Sequence, residues 1–226
     1  RSSDLASNKE LKALEMQQVP LLKFIARKDA FWIGKRGNQV VIVGSNGRGA
    51  AYGLLELSRM SGVSVWKWWG DIVPERHQRL EIDENLDKIE VPSVEYRGIN
   101  IDDTQWSSGP WARNYLNEQL SDGLLGPAYY HKLFELMLRL KANTISAGWD
   151  KKASVFLDVK GSREVADSFS MIVATPDHDG AVTLHEHKKP VDIKILYADD
   201  GYGYMLMQAH ADDKHTPHGA ALYHLR

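Results

Sequence analysis

The sequence contains no cysteine in its 226 residues, which excludes disulfide bonds and metal sites built from thiolates. It also has no run of about 18 apolar residues, which excludes a membrane-spanning helix. Neither sign of charge dominates, because the net charge is −2, so neither nucleic acid nor a membrane surface is expected as a partner. What remains is an ordinary globular composition, 43% hydrophobic and 26% charged, in a chain long enough for one large domain or two small ones.

The first residues, Arg1 to Asp4, contain no apolar segment of the kind that directs secretion. We therefore expect either a cytosolic protein or one whose signal was removed before this numbering begins. The absence of cysteine does not decide between these compartments.

The first 60 residues contain one strong strand–turn–helix pattern. Residues 38–44 (Asn-Gln-Val-Val-Ile-Val-Gly) form an unbroken apolar run that predicts a buried strand, and residues 50–60 predict a helix. The turn between them has the spacing Gly-x-x-Gly-x-Gly, which is neither a dinucleotide-binding fingerprint nor a phosphate-binding loop. We therefore interpret it as a tight turn within one α/β unit.

The rest of the chain alternates between strand and helix patterns. Residues 129–142 have the best amphipathic helix pattern in the chain, and residues 163–168 predict a short helix. Strands are predicted at residues 94–101, 143–149, 171–175, 191–197 and 221–225. This order is typical of a parallel sheet or a (β/α) barrel. The charged stretch that ends at Pro92 predicts a boundary near residue 91, and hence domains at 1–90 and 91–226.

Three tryptophans, Trp66, Trp68 and Trp69, lie within four positions of each other. They could line a surface on which sugar rings stack, or they could be buried aromatics that join the two parts of the chain. Because an exposed tryptophan carries a large free-energy cost, we favour the second interpretation.

Four stretches of the sequence together carry a family resemblance. Residues 41–58 contain the core Arg48-Gly49-x-x-Tyr52-Gly53. The others are residues 68–76 (Trp-Trp-Gly-Asp-Ile-Val-Pro-Glu-Arg), 92–99 (Pro-Ser-Val-Glu-Tyr-Arg-Gly-Ile) and 133–144 (Leu-Phe-Glu-Leu-Met-Leu-Arg-Leu-Lys-Ala-Asn-Thr). In this order they resemble parts of the glycoside hydrolase family 115 α-glucuronidases: the end of the accessory domain, the start of the barrel and the first barrel helix.

The second half of the chain departs from this family. Residues 145–149 (Ile-Ser-Ala-Gly-Trp) stand where the family has a segment like Trp-Pro-Ala-Met. The family's Thr-Ser-His-x-Glu-Pro loop is present as Thr-Pro-Asp-His-Asp-Gly, so that Asp177 and Asp179 replace its His and Glu. A long central part of the family is missing between about residues 180 and 190. The resemblance resumes at residues 198–205 (Ala-Asp-Asp-Gly-Tyr-Gly-Tyr-Met) and 222–225 (Leu-Tyr-His-Leu).

The resemblance implies an α/β fold, with an N-terminal glycosidase accessory domain followed by a (β/α) barrel-like domain of the TIM-barrel type. A closed eight-stranded barrel takes about 250 residues and rarely fewer than about 200. Only 136 residues remain after residue 90 (226 − 90). We therefore expect a reduced, incomplete barrel, whose open parallel edge would favour self-association as a homodimer.

The resemblance also implies a chemistry. Family 115 enzymes release 4-O-methyl-glucuronic acid or glucuronic acid from xylan with inversion, and need no cofactor. Inversion requires an acid and a base carboxyl group roughly 6.5–9.5 Å apart, and in a barrel such groups follow the carboxyl ends of strands. Three aspartate pairs have this position in the sequence: Asp102 with Asp103, Asp177 with Asp179, and Asp199 with Asp200. Alternatively, each pair caps the turn that follows its strand.

We expect Asp179 and one of Asp199 and Asp200 to form the acid–base pair. The substrate-binding residues that the resemblance implies are Asp103, Tyr202, Tyr204, Tyr223 and His224. A uronic acid also needs a cationic partner, preferably arginine, yet after Arg139 the chain offers only Arg163 and Arg226. We therefore expect impaired activity on xylan or glucuronoxylo-oligosaccharides.

Histidine offers a competing hypothesis. Seven of the nine histidines follow residue 177, namely His178, His185, His187, His210, His215, His218 and His224. A divalent metal site is conceivable among them, although surface histidines without metal are favoured. The alternative function is accordingly a non-catalytic or engineered remnant of the fold that binds carbohydrate or metal. The resemblance implies a periplasmic or secreted location.

Overall fold

The computed structural model describes residues 12, 14–101, 108–118, 125–147, 156, 159–177, 193–198 and 220–223. Of residues 146, 147, 174–177, 193–198 and 220–223, the backbone alone is described. The chain divides into two compact units, the first comprising Arg1–Glu95 with Leu138–Lys141 and the second Tyr96–Met137 with Ala142–Arg226. No helix among the described residues is long and apolar enough to cross a membrane.

The first unit is built on a three-stranded antiparallel sheet and one helix. Strands β1 (Phe31–Arg36) and β2 (Gln39–Gly44) form a hairpin, and β3 (Asp87–Glu90) pairs with the other side of β1. A 3₁₀ turn (Leu21–Lys23) precedes them, and helix α1 (Gly47–Met60) follows β2. The strand predicted at residues 38–44 and the helix predicted at residues 50–60 are therefore present as β2 and α1. The strand belongs to an antiparallel sheet.

Strand β1 is the buried centre of this unit. Phe31 and Ile33 pack on one side with Tyr52 of α1 and with Leu86. Trp32 packs on the other side with Val19, Phe24 and Ala30 of the preceding segment. The prediction that β2 is the buried strand was wrong, because β2 lies at the edge and its side chains are only partly covered.

The motif Arg48-Gly49-x-x-Tyr52-Gly53 has a structural explanation. The buried carboxylate of Asp29 accepts a hydrogen bond from Arg48 Nε at 2.9 Å. A Cβ on Gly49 would lie 2.3 Å from the backbone oxygen of Ala30, and one on Gly53 would lie 2.4 Å from the Ile42 side chain. Together with the buried Tyr52 ring, these residues allow α1 to lie directly against the sheet.

The second unit contains a five-stranded sheet in which all neighbouring strands are parallel. The strands are β4 (Gly98–Ile101), β5 (Thr144–Ala147), β6 (Ile172–Asp177), β7 (Ile193–Ala198) and β8 (Ala220–Tyr223), side by side in chain order. Helices α2 (Ser108–Leu116) and α3 (Pro127–Arg139) connect β4 to β5, and α4 (Ser162–Ser168) connects β5 to β6. The parallel order predicted from the sequence is confirmed, whereas no closed barrel is present among the described residues.

Aromatic side chains fill the core of the second unit. The Tyr130 ring packs edge-to-face on Phe156, with ring centroids 4.5 Å apart, and Phe134 lies against both rings. Ile145 of β5 and Val173 of β6, which lie opposite each other in the sheet, are buried. Burial of strand side chains is typical of parallel α/β sheets.

Asn143 joins the starts of three parallel strands. Its buried Oδ1 accepts hydrogen bonds from the backbone N–H of Arg97, at 2.9 Å, and from Thr144 Oγ1, at 2.8 Å. Its backbone N–H donates to the Arg97 carbonyl, and its own carbonyl accepts from the Ile172 N–H. The Asn in the family-like stretch Ala-Asn-Thr is therefore explained by the sheet geometry.

We expect Asn143→Ala to lower the free energy of unfolding by about 2 kcal/mol, because it removes the buried side-chain oxygen that accepts from the Arg97 N–H and from Thr144 Oγ1. Urea unfolding followed by circular dichroism would measure the change. Asn114→Ala, at an exposed position on α2, is the control and should change stability by less than about 0.5 kcal/mol. An equal effect of the two substitutions would contradict this role of Asn143.

Candidate functional site

The carboxyl ends of the parallel strands define one edge of the sheet, which we call the carboxyl edge. Strands β4, β6 and β7 end at Ile101, Asp177 and Ala198, and β8 ends at Tyr223. In the sequence, each of these ends is followed within two residues by a predicted site residue: Asp103, Asp179, Asp199 and His224. Because all neighbouring strands of this sheet are parallel, the four strand ends themselves lie at the same edge.

Most of the predicted site residues themselves lie outside the described residues. This is so for Asp103, Asp179, Asp199, Asp200, Tyr202, Tyr204 and His224, and for Asp102 of the first pair. Of Tyr223 and Asp177 only the backbone is described, at the last positions of β8 and β6. The common cleft, the acid–base pair and the capping alternative thus stay predictions.

Helix α2 is attached to the first turn of α3. The Glu118 carboxylate, just after α2, accepts hydrogen bonds from the backbone N–H groups of Gly126, Ala128 and Tyr129 at 2.6–3.2 Å. Tyr129 Oη donates to Ser108 Oγ, at 3.0 Å. A carboxylate is favourable at this helix end because it satisfies otherwise unpaired N–H groups and the positive end of the helix dipole.

This attachment places α2 on the side of the carboxyl edge. Helix α3 leads from β4 to its parallel neighbour β5, so it begins near the carboxyl end of β4 and ends near the amino end of β5. The hydrogen bonds between Asn143 and Arg97 mark that amino end. Thirteen helical residues span roughly 20 Å, so the first turn of α3, which holds α2, lies far from the amino edge.

Two aromatic rings stack on α2. The rings of Trp111 and Tyr115 are nearly parallel, with an interplanar angle of 18° and centroids 5.6 Å apart. Trp111 also meets Tyr129 of α3 edge-to-face at 6.0 Å, whereas the Tyr115 side chain is exposed. Our sequence analysis predicted no element here, although the aromatic pair at positions i and i+4 is a helical signal that could have revealed α2.

An ionic cluster in the first unit contains two carboxyl groups with a lowered pKa, Glu56 and Glu90. Buried Glu56 accepts from Arg59 Nη2 at 2.8 Å, from Lys88 Nζ at 2.7 Å and from Lys141 Nζ at 3.0 Å. Glu90 pairs with the same two lysines. The hydrogen bond from Arg59, helped by both lysines, holds the pKa of Glu56 far below its usual range despite burial.

In Glu90, burial raises the pKa, but hydrogen bonds from Lys141 and Lys88 outweigh it and lower the pKa overall. A strongly shifted pKa is often a sign of an active site. Here the cations of the cluster itself lower the pKa values of both Glu56 and Glu90. The cluster connects α1, β3 and the segment Leu138–Lys141 of the first unit. We therefore interpret it as a structural ion-pair network.

The interpretation of the three tryptophans as buried aromatics was wrong for two of them. Trp66 is 48% exposed and Trp68 is 37% exposed, while Trp69 is half-buried and packs edge-to-face on Trp68 at 5.3 Å. The segment is not extended. Backbone hydrogen bonds from Lys67 to Ser64 and from Gly70 to Trp66 fold it into consecutive turns, so the alternation of a strand does not apply.

The histidine hypothesis is not tested by the structure. No group of three or more potential metal ligands occurs among the described residues, and the seven histidines after residue 177 lie outside them. Arg163, which we weighed as a partner for a uronate, is half-buried on α4. Asp167, on the same helix, has its pKa raised by burial.

The fold of the chain is similar to that of a solved enzyme. A solved family GH115 4-O-methyl-α-glucuronidase, BtGH115A, described as having specificity for decorated arabinogalactans, has a similar fold, with a TM-score of 0.69 and 22% sequence identity. The similarity covers 94% of this chain and 42% of that chain, so this chain spans less than half the length of its structural relative. No curated protein matches the chain significantly.

A second match agrees with this similarity. Residues 90–189 fit the model of glycosyl hydrolase family 115. The match supports the resemblance found in the sequence. Two of the four stretches that carried the resemblance, 92–99 and 133–144, fall within the matched residues.

Proposed function

We propose that the chain provides the accessory unit and the catalytic edge of a glycoside hydrolase that removes uronic acid side groups from a plant-type glycan. The reaction is hydrolysis of the glycosidic bond to (4-O-methyl-)glucuronic acid, with inversion at the anomeric carbon. Asp179 and one of Asp199 and Asp200 act as general acid and general base. Asp103, Tyr202, Tyr204, Tyr223 and His224 bind the sugar hydroxyls.

One observation carries this proposal. Four parallel strands end one or two residues before the proposed site residues, and all four ends share the carboxyl edge. Strand ends at that edge hold the catalytic groups in barrel enzymes generally. The family match over residues 90–189 covers the ends of β4, β5 and β6, and therefore Asp103 and Asp179.

The mechanism needs two carboxyl groups on neighbouring strands. Strands β6 and β7 are direct neighbours, with Asp177 opposite Tyr197 near their carboxyl ends. Adjacent strands lie about 4.8 Å apart. Carboxyl groups that follow two such strands can reach the roughly 6.5–9.5 Å separation that leaves room for the attacking water. In this proposed function, the five parallel strands β4 to β8 are part of a barrel-like domain.

The substrate is a glycan with uronosyl side groups. The structural relative is described as specific for decorated arabinogalactans, while the family resemblance points to glucuronoxylan. Both carry an acidic sugar on a neutral backbone. Since the chain lacks an obvious arginine for the uronate in its second half, we expect slow turnover.

The test is to incubate the protein separately with glucuronoxylan and with decorated arabinogalactan, with and without EDTA, and to follow the released sugar by NMR. We expect slow release of the inverted anomer of (4-O-methyl-)glucuronic acid from at least one glycan, unchanged by EDTA. The heat-denatured protein is the control.

Other outcomes would contradict parts of the proposal. Release of the retained anomer would exclude the two-carboxylate inverting mechanism. Release that EDTA abolishes would favour a metal site among the histidines. If neither glycan yields uronic acid over days at high enzyme concentration, the non-catalytic alternative is supported.

A further inference from the structure

The stacked pair Trp111–Tyr115, which we call the α2 aromatic pair, has no assigned role. We propose that it is a sugar-binding platform at the carboxyl edge, on which Tyr115 stacks against a neutral pyranose ring of the glycan backbone. The inference rests on the proposed function for the identity of the substrate. It adds a subsite for the part of the glycan that is not cleaved.

The first support is exposure. Tyr115 is 76% exposed although it is aromatic, and it belongs to the described helix α2. One side of its ring faces Trp111, whose ring is tilted from it by only 18°. An aromatic ring supported from below by a second ring presents a flat apolar surface, and a pyranose ring presents a complementary face of C–H groups.

The second support is rigidity. Trp111 is braced by the Tyr129 ring, Ala112 of the same helix is buried, and Ser108 is bonded to Tyr129 Oη. Glu118 then fixes the end of the α2 segment to three N–H groups of α3. A ring held in this way loses little conformational entropy when it binds a ligand, which is the advantage of a preorganised site.

The third support is position. The α2 aromatic pair lies in the connection from β4 to α3, and the same connection begins with Asp103 in the sequence. Trp111 contacts the first turn of α3, which lies on the side of the carboxyl edge. Binding groups in α/β barrels cluster in such strand-to-helix connections. A platform here lies on the same side of the sheet as the carboxyl ends of β6 and β7, which precede the proposed acid–base residues in the sequence.

The chemistry of the pair selects the class of ligand. Tyrosine and tryptophan bring a large apolar area with a polar tip, which suits a sugar ring with hydroxyl groups around its rim. The pair itself carries no charge, so it favours the neutral backbone over the uronate. Xylan and galactan backbones share this chemistry, and separate probes distinguish them.

The experiment measures binding of xylohexaose and of β-1,3-galactohexaose by isothermal titration calorimetry. We expect one of the two to bind the native protein, and Tyr115→Ala to weaken that binding about tenfold. Tyr115→Phe keeps the ring and should bind within about twofold of the native protein. Thermal unfolding of each variant checks that the fold is unchanged.

A matched control is available at the opposite edge. Tyr96 is 45% exposed and lies two residues before β4, at the amino end of the strand. Tyr96→Ala should leave the affinity unchanged within about twofold. Equal losses for Tyr96→Ala and Tyr115→Ala, no loss for Tyr115→Ala, or no binding of either hexasaccharide to the native protein would overturn the platform.

Different experimental results would contradict the sugar-binding platform and the proposed hydrolase function. If no glycan releases uronic acid but Tyr115→Ala still weakens hexasaccharide binding about tenfold, the hydrolase proposal fails while the platform stands. If uronic acid is released and the KM of Tyr115→Ala on the polysaccharide equals that of the native protein, the platform fails while the hydrolase proposal stands.

Discussion

Glu56→Gln should lower the free energy of unfolding of the first unit by about 3 kcal/mol, the lower end of the range for breaking a buried ion pair. The substitution keeps the size of the side chain but removes the charge that Arg59, Lys88 and Lys141 share. Those three cations are themselves partly exposed, so water can compensate some of the loss. This is why we expect about 3 rather than 5 kcal/mol.

Urea unfolding followed by far-ultraviolet circular dichroism measures this change. The matched control is Glu84→Gln, because Glu84 also pairs with a lysine, Lys35, but is 81% exposed. An exposed pair contributes little, so the control should change stability by less than about 1 kcal/mol. Equal effects at the two positions would show that burial of the Glu56 cluster is not what stabilises the unit.

The lowered pKa of Glu56 also predicts a pH dependence. A carboxyl group with a folded-state pKa below its unfolded value binds its proton more weakly in the folded protein. Its stabilisation is therefore complete above the unfolded pKa of about 4.3 and is lost as the pH falls below it. Between about pH 5 and pH 3, the native protein should lose more stability than Glu56→Gln. Parallel pH curves for the two proteins would contradict this assignment.

Elements with a strong periodic or apolar signal were predictable. The strand at β2, the helix after it, and the amphipathic stripe of α3 are confirmed, with ends that differ from the predicted ones by at most three residues. The predicted series of short apolar runs likewise corresponds to β4 to β8. Parallel pairing followed because a helix between two strands leaves room for a crossover connection.

Elements whose stability comes from tertiary contacts were not predictable. The strand β3 (Asp-Lys-Ile-Glu) is mostly charged, and it exists because β1 supplies its hydrogen bonds and because Lys88 and Glu90 enter the Glu56 cluster. The first half of strand β1 is apolar and buried, but the strand ends in Gly-Lys-Arg, and these residues interrupt the apolar pattern that would have predicted it. Helix α2 contains Gly109 and Pro110, two residues that argue against a helix unless they stand in its first turn, as they do here.

The site could be predicted only as far as the strand ends. Chain order and parallel pairing bring Ile101, Asp177, Ala198 and Tyr223 to one edge, and this follows from the sequence pattern. The separation of two carboxyl groups depends on loop conformations that no local pattern specifies. The spacing of Trp111 and Tyr115 is a local helical signal, but the placement of the α2 aromatic pair depends on contacts with Tyr129 and Glu118, which no local pattern specifies.

Removing either member of the proposed acid–base pair should lower kcat/KM for uronic acid release by about 100- to 10,000-fold, the usual contribution of general acid–base catalysis. The variants are Asp179→Asn, Asp199→Asn and Asp200→Asn, which keep the side-chain shape but cannot exchange a proton in the same way. We expect the loss at position 179 and at one of positions 199 and 200. The control is Asp167→Asn, near the end of α4, where the chain approaches the amino end of β6, and it should retain full activity.

A substitution at position 179 that should increase activity tests the same acid–base pair more strictly than one that should remove it. The family resemblance places a glutamate where this chain has Asp179, so the carboxyl group here is withdrawn by one methylene. A displacement near 1 Å can cost on the order of 100-fold in rate, so Asp179→Glu should raise the rate of uronic acid release by up to about 100-fold. Asp177→Glu, two residues earlier at the last position of β6, is the matched control and should bring no gain. The comparison uses glucuronoxylan and decorated arabinogalactan at equal enzyme concentration, with released sugar followed by NMR.

A gain at position 177 but not at 179, or full activity in Asp179→Asn, would exclude Asp179 from the acid–base pair.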